Sequence, residues 1–237
     1  MSHSLNTVPT LHPLLASADV HGLVFDLDGT LIDSGADILQ GMRLTFEEAG
    51  IGLIPQDYFP DNMHGTAEGI LRSIAADMGW AMPAEIEPLR RQYQTHAATL
   101  DLQRTRLYDG VLEVLQACQT AALPMGICTN KSHAGALSAT HKFGIHDMFG
   151  FITGSDTWAE AKPSPLPLQE TLRMLHLEPQ NCLYFGDTST DAACAQAAGV
   201  RFILFESGYG DRELADHPRH FAFSDWNALL ADQSAIA

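Results

Sequence analysis

Two aspartates follow the first strongly apolar segment of the chain. Residues 22–25 are Gly-Leu-Val-Phe, Asp26 and Asp28 come directly after them, and Gly29-Thr30 breaks the run. A buried strand that ends in this way places two carboxylates at its C-terminal tip, where the chain turns over a cleft. Because burying a charge is costly unless it is paired or binds a metal, packing does not explain these acids. The pattern predicts a magnesium site with a carboxylate nucleophile.

Three other polar motifs accompany this pair of aspartates. In chain order they are Thr129-Asn130-Lys131, Lys162-Pro163 and Gly186-Asp187-Thr188-Ser189-Thr190-Asp191. The first and the last directly follow apolar runs, and the middle one precedes a predicted helix at 165–176. In an open α/β sheet the ligand crevice lies outside the carboxyl ends of the strands. The motifs are therefore predicted to surround one crevice, and their agreement supports a site more strongly than any single motif does.

Short apolar segments that alternate with helical patterns must position these motifs. Strands are predicted at 21–27, 124–129, 151–154, 181–186 and 200–206, with a weaker one near 220–223. Between most of them, apolar residues recur at helical spacing. Such alternation predicts an α/β fold, with a Rossmann-like parallel sheet that carries helices on both faces.

The alternation is interrupted after the first strand, where no second strand is predicted before 124. Helices are predicted there instead, at 36–49, 66–78 and 84–100. We interpret this stretch as a cap domain inserted into the core. The predicted division is a core domain of 20–33 and 106–237, a helical cap domain of 34–105 and an N-terminal arm of 1–19. Asp33 and Ser34 are expected to cap the first cap helix and to serve as a hinge.

The composition excludes several classes of protein. The formal net charge of −16 comes without a basic stripe, which argues against nucleic-acid binding. Four scattered cysteines without a CxxC pair indicate a reducing compartment. The eleven histidines include no HExxH pattern, so a zinc site is unsupported. With no signal peptide and no apolar run long enough for a membrane helix, we expect a cytoplasmic protein without a membrane partner.

With all four motifs in order, the chain resembles the haloacid dehalogenase superfamily of phosphohydrolases, specifically members with a helical cap after the first motif. It is most similar to the phosphoglycolate phosphatase-like group. The strings that carry this resemblance are Asp-Gly-Thr-Leu-Ile-Asp-Ser at 28–34, Cys-Thr-Asn-Lys at 128–131, Lys-Pro-Ser-Pro-Leu-Pro-Leu at 162–168 and Gly208-Tyr209. The resemblance covers the chain from about residue 20 onward.

The resemblance implies a mechanism for particular residues. Asp26 would attack phosphorus and form an aspartyl-phosphate, and Asp28 would protonate the leaving alcohol and later deprotonate the attacking water. The Thr129 hydroxyl and the Asn130 backbone N–H would bind phosphate oxygens. Lys162 would offset the charge that develops between Asp26 and the phosphate. The structural alternatives are that Thr129 and Asn130 only cap a helix and that Lys162 lies on the surface.

The implied cofactor is Mg²⁺, which prefers hard oxygen ligands. Asp26, the backbone carbonyl of Asp28 and Asp187 would be the protein ligands, and Asp191 would act through a water molecule. The alternative for Asp191 is a favourable charge in the first turn of a helix.

Substrate choice is predicted to lie in the cap. The segment 64–69 falls between two predicted cap helices, and His64, Gly65 and Thr66 are the candidate substrate-binding residues. A small acid such as phosphoglycolate would need a cation for its carboxylate. The candidate cations are His64, Arg72 and Arg43.

Three activities remain as alternatives to a phosphatase for small phosphate esters. A phosphomutase of the β-phosphoglucomutase type also needs both acids of the first motif, so it is the second choice. A non-catalytic phosphometabolite-binding protein is disfavoured because every acid is present. A protein phosphatase is disfavoured because a helical cap would exclude macromolecules. The expected partner is thus a small-molecule phosphate ester, and the chain is expected to be a monomer or a homodimer.

Overall fold

All six strands predicted from the sequence are present, and they form one parallel sheet. The computed structural model of the chain describes residues 10–60, 63 and 65–231. In chain order the strands are β1 (Gly22–Phe25), β2 (Ile32–Asp33), β3 (Arg106–Leu107), β4 (Met125–Cys128), β5 (Phe151–Thr153), β6 (Cys182–Gly186), β7 (Arg201–Phe205) and β8 (Phe221–Phe223). The main sheet has the order β5-β4-β1-β6-β7-β8, with parallel pairing throughout.

The helices confirm the predicted α/β class. They are α1 (Gly35–Glu48), α2 (Ala67–Met78), α3 (Glu87–Leu100), α4 (Val111–Thr120), α5 (His133–Lys142), α6 (Leu166–Met174) and α7 (Ser189–Ala198). None of the helices in the described part of the chain is long and apolar enough to cross a bilayer.

Strand β1 lies at the centre of the sheet because it is buried on both faces. Its four residues are all buried, and Val24 pairs with Gly126 on one side and Tyr184 on the other. Successive side chains of a strand point to opposite faces. Phe25 accordingly belongs to the hydrophobic cluster under α4 and α5, whereas Val24 belongs to the cluster under α6 and α7. An all-apolar strand of this kind is typical of a sheet covered on both sides.

The order of the strands creates a crevice at the end of β1. The chain continues from β1 to β4 on one side of it, and β6 is its neighbour on the other side. The carboxyl ends of these three strands lie together, and this change of direction is where α/β proteins bind ligands. Each of the three strands is followed by one of the polar motifs found in the sequence.

Helices α1, α2 and α3 pack around a hydrophobic cluster of their own. Its buried members include Met42, Phe46, Leu71, Ile74 and Leu89. We interpret this separate cluster as the core of the cap domain, in line with the insertion predicted at 34–105.

A two-stranded ribbon at the base of these helices was not predicted. In it β2 pairs antiparallel with β3, so that Ile32 faces Leu107 and Asp33 faces Arg106. The expectation that no strand lies between the first strand and residue 124 was therefore wrong. The ribbon lies where the chain passes from the sheet to the three helices and where it returns to the sheet. The hinge is predicted at the first of these two points, at Asp33 and Ser34.

One smaller expectation is also corrected, and one point that the sequence left open is answered for the described residues. Ser34 lies at the start of α1, but its side chain makes no capping hydrogen bond, and its hydroxyl donates instead to the Asp28 carboxylate. Residues 10–19, the described part of the predicted N-terminal arm, lie on the core. Leu15 is fully buried, and Leu11 forms an isolated bridge with Leu230 near the end of the described chain.

Candidate active site

Asp26 lies at the floor of the crevice, immediately after β1. Its backbone N–H donates to the carbonyl of Phe185 at 2.8 Å, which continues the pairing with β6 and fixes the position of the side chain. The Lys162 ammonium Nζ lies 2.8 Å from Asp26 Oδ1. Among the described residues this buried oxygen has no well-directed hydrogen bond, so the lysine balances it by charge and proximity.

Lys162 is buried and contacts three oxygen atoms. Besides Asp26, its Nζ donates to Asp191 Oδ1 at 2.6 Å and to the Tyr184 hydroxyl at 2.9 Å. Only 2% of its side chain is exposed, which rules out the surface alternative. Burial alone would lower the pKa of Lys162, but the carboxylates of Asp191 and Asp26 outweigh it and raise the pKa above its usual value. Lys162 is therefore positively charged at all ordinary pH values.

The loop that carries Lys162 is held by the side chain of Asn130. Asn130 Oδ1 accepts from the Lys162 backbone N–H at 3.0 Å, and Asn130 Nδ2 donates to the Lys162 carbonyl at 3.1 Å. From the sequence, only a backbone role was predicted for Asn130, so this positioning role was missed. The helix-cap alternative is also resolved, because α5 is capped by Ser132, whose hydroxyl accepts from the N–H of Gly135.

Thr129 is buried at the end of β4. Its backbone N–H donates to the carbonyl of Thr153, and its hydroxyl accepts from the N–H of Lys131 at 3.2 Å. Thr129 and Asn130 both line the cavity above Asp26. The position allows them to contact a phosphate group there.

Asp26, Asp187 and Asp191 form a cluster of buried carboxylates. Oxygen atoms of the three side chains all lie within 4.8 Å of one another. Asp187 accepts from the Thr30 hydroxyl and from the N–H of Tyr209, both at 2.7 Å. The cluster forms without the side chain of Asp28, whose predicted contribution is its backbone carbonyl.

Local sequence explains the position of Asp191. Thr188 caps α7, and Asp191, three residues later, completes a capping box by accepting from the Thr188 N–H and hydroxyl. The same carboxylate binds Lys162 and the Tyr184 hydroxyl. Burial would raise the pKa of Asp191, but the Lys162 charge outweighs it and holds the pKa below its ordinary value. Asp191 therefore has the helical role considered from sequence, and it also contacts Lys162; its role through a metal-bound water stays a prediction.

The charges of this cluster fit a divalent cation. Burial, then repulsion from Asp191 and Asp26, raises the pKa of Asp187 well above its ordinary value. Burial also raises the pKa of Asp26 to about 7, although Lys162 opposes this shift. Three carboxylates beside one lysine are under-compensated, and Asp26 Oδ1 lacks a directed hydrogen bond. Hard oxygen ligands with surplus negative charge are what Mg²⁺ requires.

Asp28 occupies the mouth of the crevice and is paired with Lys131. The Lys131 Nζ lies 3.0 Å and 3.2 Å from the two oxygens of its carboxylate. The Ser34 hydroxyl also donates to Asp28, and the Ser34 N–H donates to the Tyr209 hydroxyl at 2.8 Å. Lys131 was part of a predicted motif, but no role was predicted for it. The only signal for a role in the sequence is its position directly after Thr129 and Asn130.

A cavity of about 570 Å³ lies between this floor and the three inserted helices. Gly65 and Thr66 line it, as predicted for substrate-binding residues, whereas His64 lies outside the described residues. The two predicted arginines are elsewhere. Arg43 donates to the carbonyls of residues 55 and 56, and Arg72 pairs with Glu68 on the outside of α2.

Comparisons with known proteins show the family to which the chain belongs. Residues 23–205 match the sequence model of a family described as haloacid dehalogenase-like hydrolase. The phosphoglycolate phosphatase of Mesorhizobium japonicum is 31% identical over 211 residues, which cover 89% of this chain and 93% of the relative. A phosphoglycolate phosphatase of Cereibacter sphaeroides is 33% identical over 211 residues, which cover 88% and 95%.

A solved structure shows the same fold. It is named a predicted phosphoglycolate phosphatase of Haemophilus somnus, and it superposes with a TM-score of 0.81 at 22% identity. The match covers 90% of this chain and 98% of the other.

Proposed function

The chain belongs to the haloacid dehalogenase-like hydrolase family, and from this premise we propose the reaction that it catalyses. It is a phosphoric monoester hydrolase. We propose that it is a Mg²⁺-dependent phosphatase that hydrolyses a small-molecule phosphate monoester, phosphoglycolate or a similar short acid. The reaction proceeds through an aspartyl-phosphate on Asp26.

One observation carries this proposal. A buried carboxylate, Asp26, lies beside a permanently charged lysine and two further buried acids, at the floor of a covered cavity. A structural ion pair would need one acid for one lysine, whereas three acids around one lysine suit a site that binds a cation and attacks an anion.

Asp26 is the nucleophile in the first half of the reaction. Lys162 contacts Oδ1, and we assign the attack on phosphorus to Oδ2. The new bond joins this oxygen to phosphorus while the bond from phosphorus to the alcohol oxygen breaks. Lys162 favours the ionised form of Asp26 against the effect of burial, and it offsets the charge that accumulates around the phosphoryl group. Asn130 holds the backbone of Lys162 in register for this task.

Asp28 is the proton carrier of both halves. Its carboxylate lines the same cavity as Asp26, and it donates a proton to the departing alcohol oxygen. In the second half it takes a proton from the attacking water. The water oxygen bonds to phosphorus while the bond from phosphorus to Asp26 Oδ2 breaks, and inorganic phosphate leaves. Ser34 and Lys131 fix the direction of the carboxylate.

Asp26, Asp187, Asp191 and the backbone carbonyl of Asp28 would hold the magnesium ion. When it is bound, Mg²⁺ supplies positive charge that lets an anionic nucleophile approach an anionic phosphate. Its fit rests on the under-compensated carboxylates and on the undirected oxygen of Asp26.

The cavity supports a small substrate. Its volume of about 570 Å³ is typical of pockets for small molecules. Gly65 and Thr66 approach it from the inserted helices, opposite the chemical groups of the sheet. The names of the relatives favour phosphoglycolate, and a short acid is compatible with this volume.

Phosphate release tests the proposal. The panel contains 2-phosphoglycolate, sugar phosphates, nucleotides, pyrophosphate and phosphoserine, each with Mg²⁺ and with EDTA. We expect metal-dependent release, with one short acid preferred by about 100-fold in kcat/KM, and we expect no release from the Asp26→Asn variant. The exposed Asp147 provides the matched control, because Asp147→Asn removes the same charge far from the crevice.

Two results would overturn the proposal. Undiminished phosphate release by the Asp26→Asn variant would rule out Asp26 as the nucleophile. Isomerisation of a sugar phosphate without release of inorganic phosphate, followed by phosphorus NMR, would identify the alternative, a phosphomutase.

A further inference from the structure

One face of helix α3 forms part of the ceiling of the cavity, which is the wall built by α1, α2 and α3. The five side chains that it contributes are Arg90, Tyr93, Gln94, Ala97 and Ala98, at the spacing of one helical stripe. Asp28, the predicted proton carrier, lines the same cavity as this stripe. An ester bound in the cavity would therefore lie between the stripe and the groups of the sheet.

Arg90 brings a positive charge to this ceiling. It donates to both oxygens of Glu87, at 2.7 Å and 2.9 Å, and Arg91 donates to the same carboxylate at 2.8 Å. Two guanidinium groups thus share one carboxylate. Arg90 lines the cavity, whereas Arg91 does not and is 75% exposed. Within the described lining, Arg90 is the one cation that comes from the inserted helices.

The acidic residues of the same wall act on Arg90 as well as on other partners. Glu68 pairs with Arg72 at 2.9 Å, and Asp101 pairs with Lys142 at 3.2 Å. Asp156, from the sheet side, accepts from the neutral N–H of His133 at the start of α5. The hydrogen bonds with Glu87 and the nearby charges of Asp156 and Glu68 raise the pKa of Arg90, so the guanidinium stays charged in this wall.

A second positive feature lies on the same wall. The first turn of α2, with Gly65, Thr66 and Ala67, lines the cavity, and Thr66 caps the helix by accepting from the N–H of Gly69. The start of a helix carries a partial positive charge. It points to the same kind of ligand group as the guanidinium of Arg90, an anion.

We propose that Arg90, together with the first turn of α2, binds a second anionic group of the substrate and so selects short phosphate esters with two charged ends. This inference rests on the proposed phosphatase activity. Arg90 and Asp28 line the same cavity of about 570 Å³, so the second anion and the phosphate ester must belong to one small molecule.

A carboxylate and a second phosphate share this chemistry, so the experiment uses three esters of the same two-carbon length. They are 2-phosphoglycolate, ethylene glycol bisphosphate and 2-hydroxyethyl phosphate, whose second end is uncharged. The test compares kcat/KM of the wild-type enzyme and of the Arg90→Gln variant with Mg²⁺. Arg91→Gln is the matched control, because Arg91 shares Glu87 but faces solvent.

We expect Arg90→Gln to lose about 10- to 100-fold on the esters with a second anion and less than about 3-fold on 2-hydroxyethyl phosphate. Arg91→Gln should leave all three values unchanged. Arg90→Lys should recover part of the loss, because it restores the charge without the two-pronged geometry. Of the two esters with a second anionic group, the one with the higher kcat/KM shows whether that group is a carboxylate or a phosphate.

The inference fails separately from the proposed function. An equal loss on all three esters would show that Arg90 only holds the cap in place, and an unchanged preference would show that Arg90 does not select the substrate. Either result leaves metal-dependent hydrolysis intact. By contrast, wild-type enzyme that releases no phosphate from any ester of the wider panel would refute the phosphatase proposal itself.

Discussion

The floor and the ceiling of the cavity are built in opposite ways. On the floor, Lys162 and Asp191 are almost completely buried, and each contacts several partners from different strands and loops. On the ceiling, Arg90 is 35% exposed, and its partner Glu87 lies on the same helix, three residues away. The catalytic groups Lys162 and Asp191 therefore depend on the packing of the sheet. Arg90, which would bind the substrate, is held within one helix, so we expect its replacement to cost little stability.

The largest effect should come from the floor. Lys162→Met leaves Asp26 and Asp191 buried without their cation, and removing one partner of a buried pair costs about 3–5 kcal/mol. We expect the free energy of unfolding to fall by about that amount, measured by urea titration, and phosphate release to fall at least about 100-fold. Lys142→Met, which removes a half-exposed lysine paired with Asp101, is the control and should change neither value much. A Lys162→Met enzyme with near-normal turnover would show that the floor network is only structural.

Asp28 lies between the two regions and should show a loss that depends on the leaving group. Asp28→Asn cannot donate a proton, so hydrolysis of an alkyl phosphate should slow at least about 100-fold. The loss should be clearly smaller for 4-nitrophenyl phosphate, whose leaving group needs no proton. The measured quantity is kcat/KM for each ester, because it covers the steps up to departure of the alcohol and excludes the second half that both esters share. Equal losses in kcat/KM on both esters would contradict the role of proton donor to the alcohol.

Removal of Mg²⁺ should destabilise the floor in a way that depends on pH. Burial raises the pKa of Asp26 to about 7, and burial with its acidic neighbours also raises that of Asp187. A raised carboxylate pKa means that the folded state keeps protons that the unfolded state releases. The metal-free protein should therefore lose stability as pH rises from about 4 to above 7.

Mg²⁺ binds ionised carboxylates, so its stabilising effect should grow over the same pH range. At 100 times the dissociation constant the gain is about 2.7 kcal/mol. Thermal unfolding with Mg²⁺ and with EDTA at pH 5.5 and pH 8 measures it, and the shift in Tm should be larger at pH 8. A shift of equal size at both pH values would place the ion away from these acids.

The smallest effect should come from the ribbon that joins the two regions. Arg106 and Asp33 form an ion pair at 2.8 Å, but the arginine is 73% exposed. Exposed pairs contribute little, so Arg106→Ala should change the free energy of unfolding by less than about 0.5 kcal/mol. A double-mutant cycle with Asp33→Asn measures the pair alone. A coupling above about 1 kcal/mol would mean that the ribbon depends on this charge and not on its backbone pairing.

The floor was largely predictable from sequence because its groups are placed by local rules. Asp26, Thr129 and Asp187 each come directly after an apolar strand, and parallel strands bring such positions together whatever the details of packing. Asp191 follows from the capping pattern at the start of α7, which is also local. The six strands of the main sheet were predictable for the same reason, since each is a short apolar run.

The ceiling was not predictable because its geometry depends on how helices pack. Arg90 and Arg91 are neighbours in sequence, and nothing in their spacing says which one faces the cavity. Arg43 is held by backbone carbonyls outside the cavity, a set of partners that only the folded loop creates. The ribbon strands are two residues long and pair across the whole insertion, so no periodicity could reveal them. The Lys131–Asp28 pair joins residues 103 positions apart and was missed for the same reason.

The ribbon also has a consequence for how such a chain can be rebuilt. Since Ile32 and Leu107 are paired partners, the polypeptide leaves the sheet and returns to it through adjacent residues. The entropy of closing a loop rises only slowly with the number of residues in it. The segment between the two ribbon strands is thus an exchangeable cassette. A shorter turn or a larger helical module can be grafted there while the strand order beneath is kept.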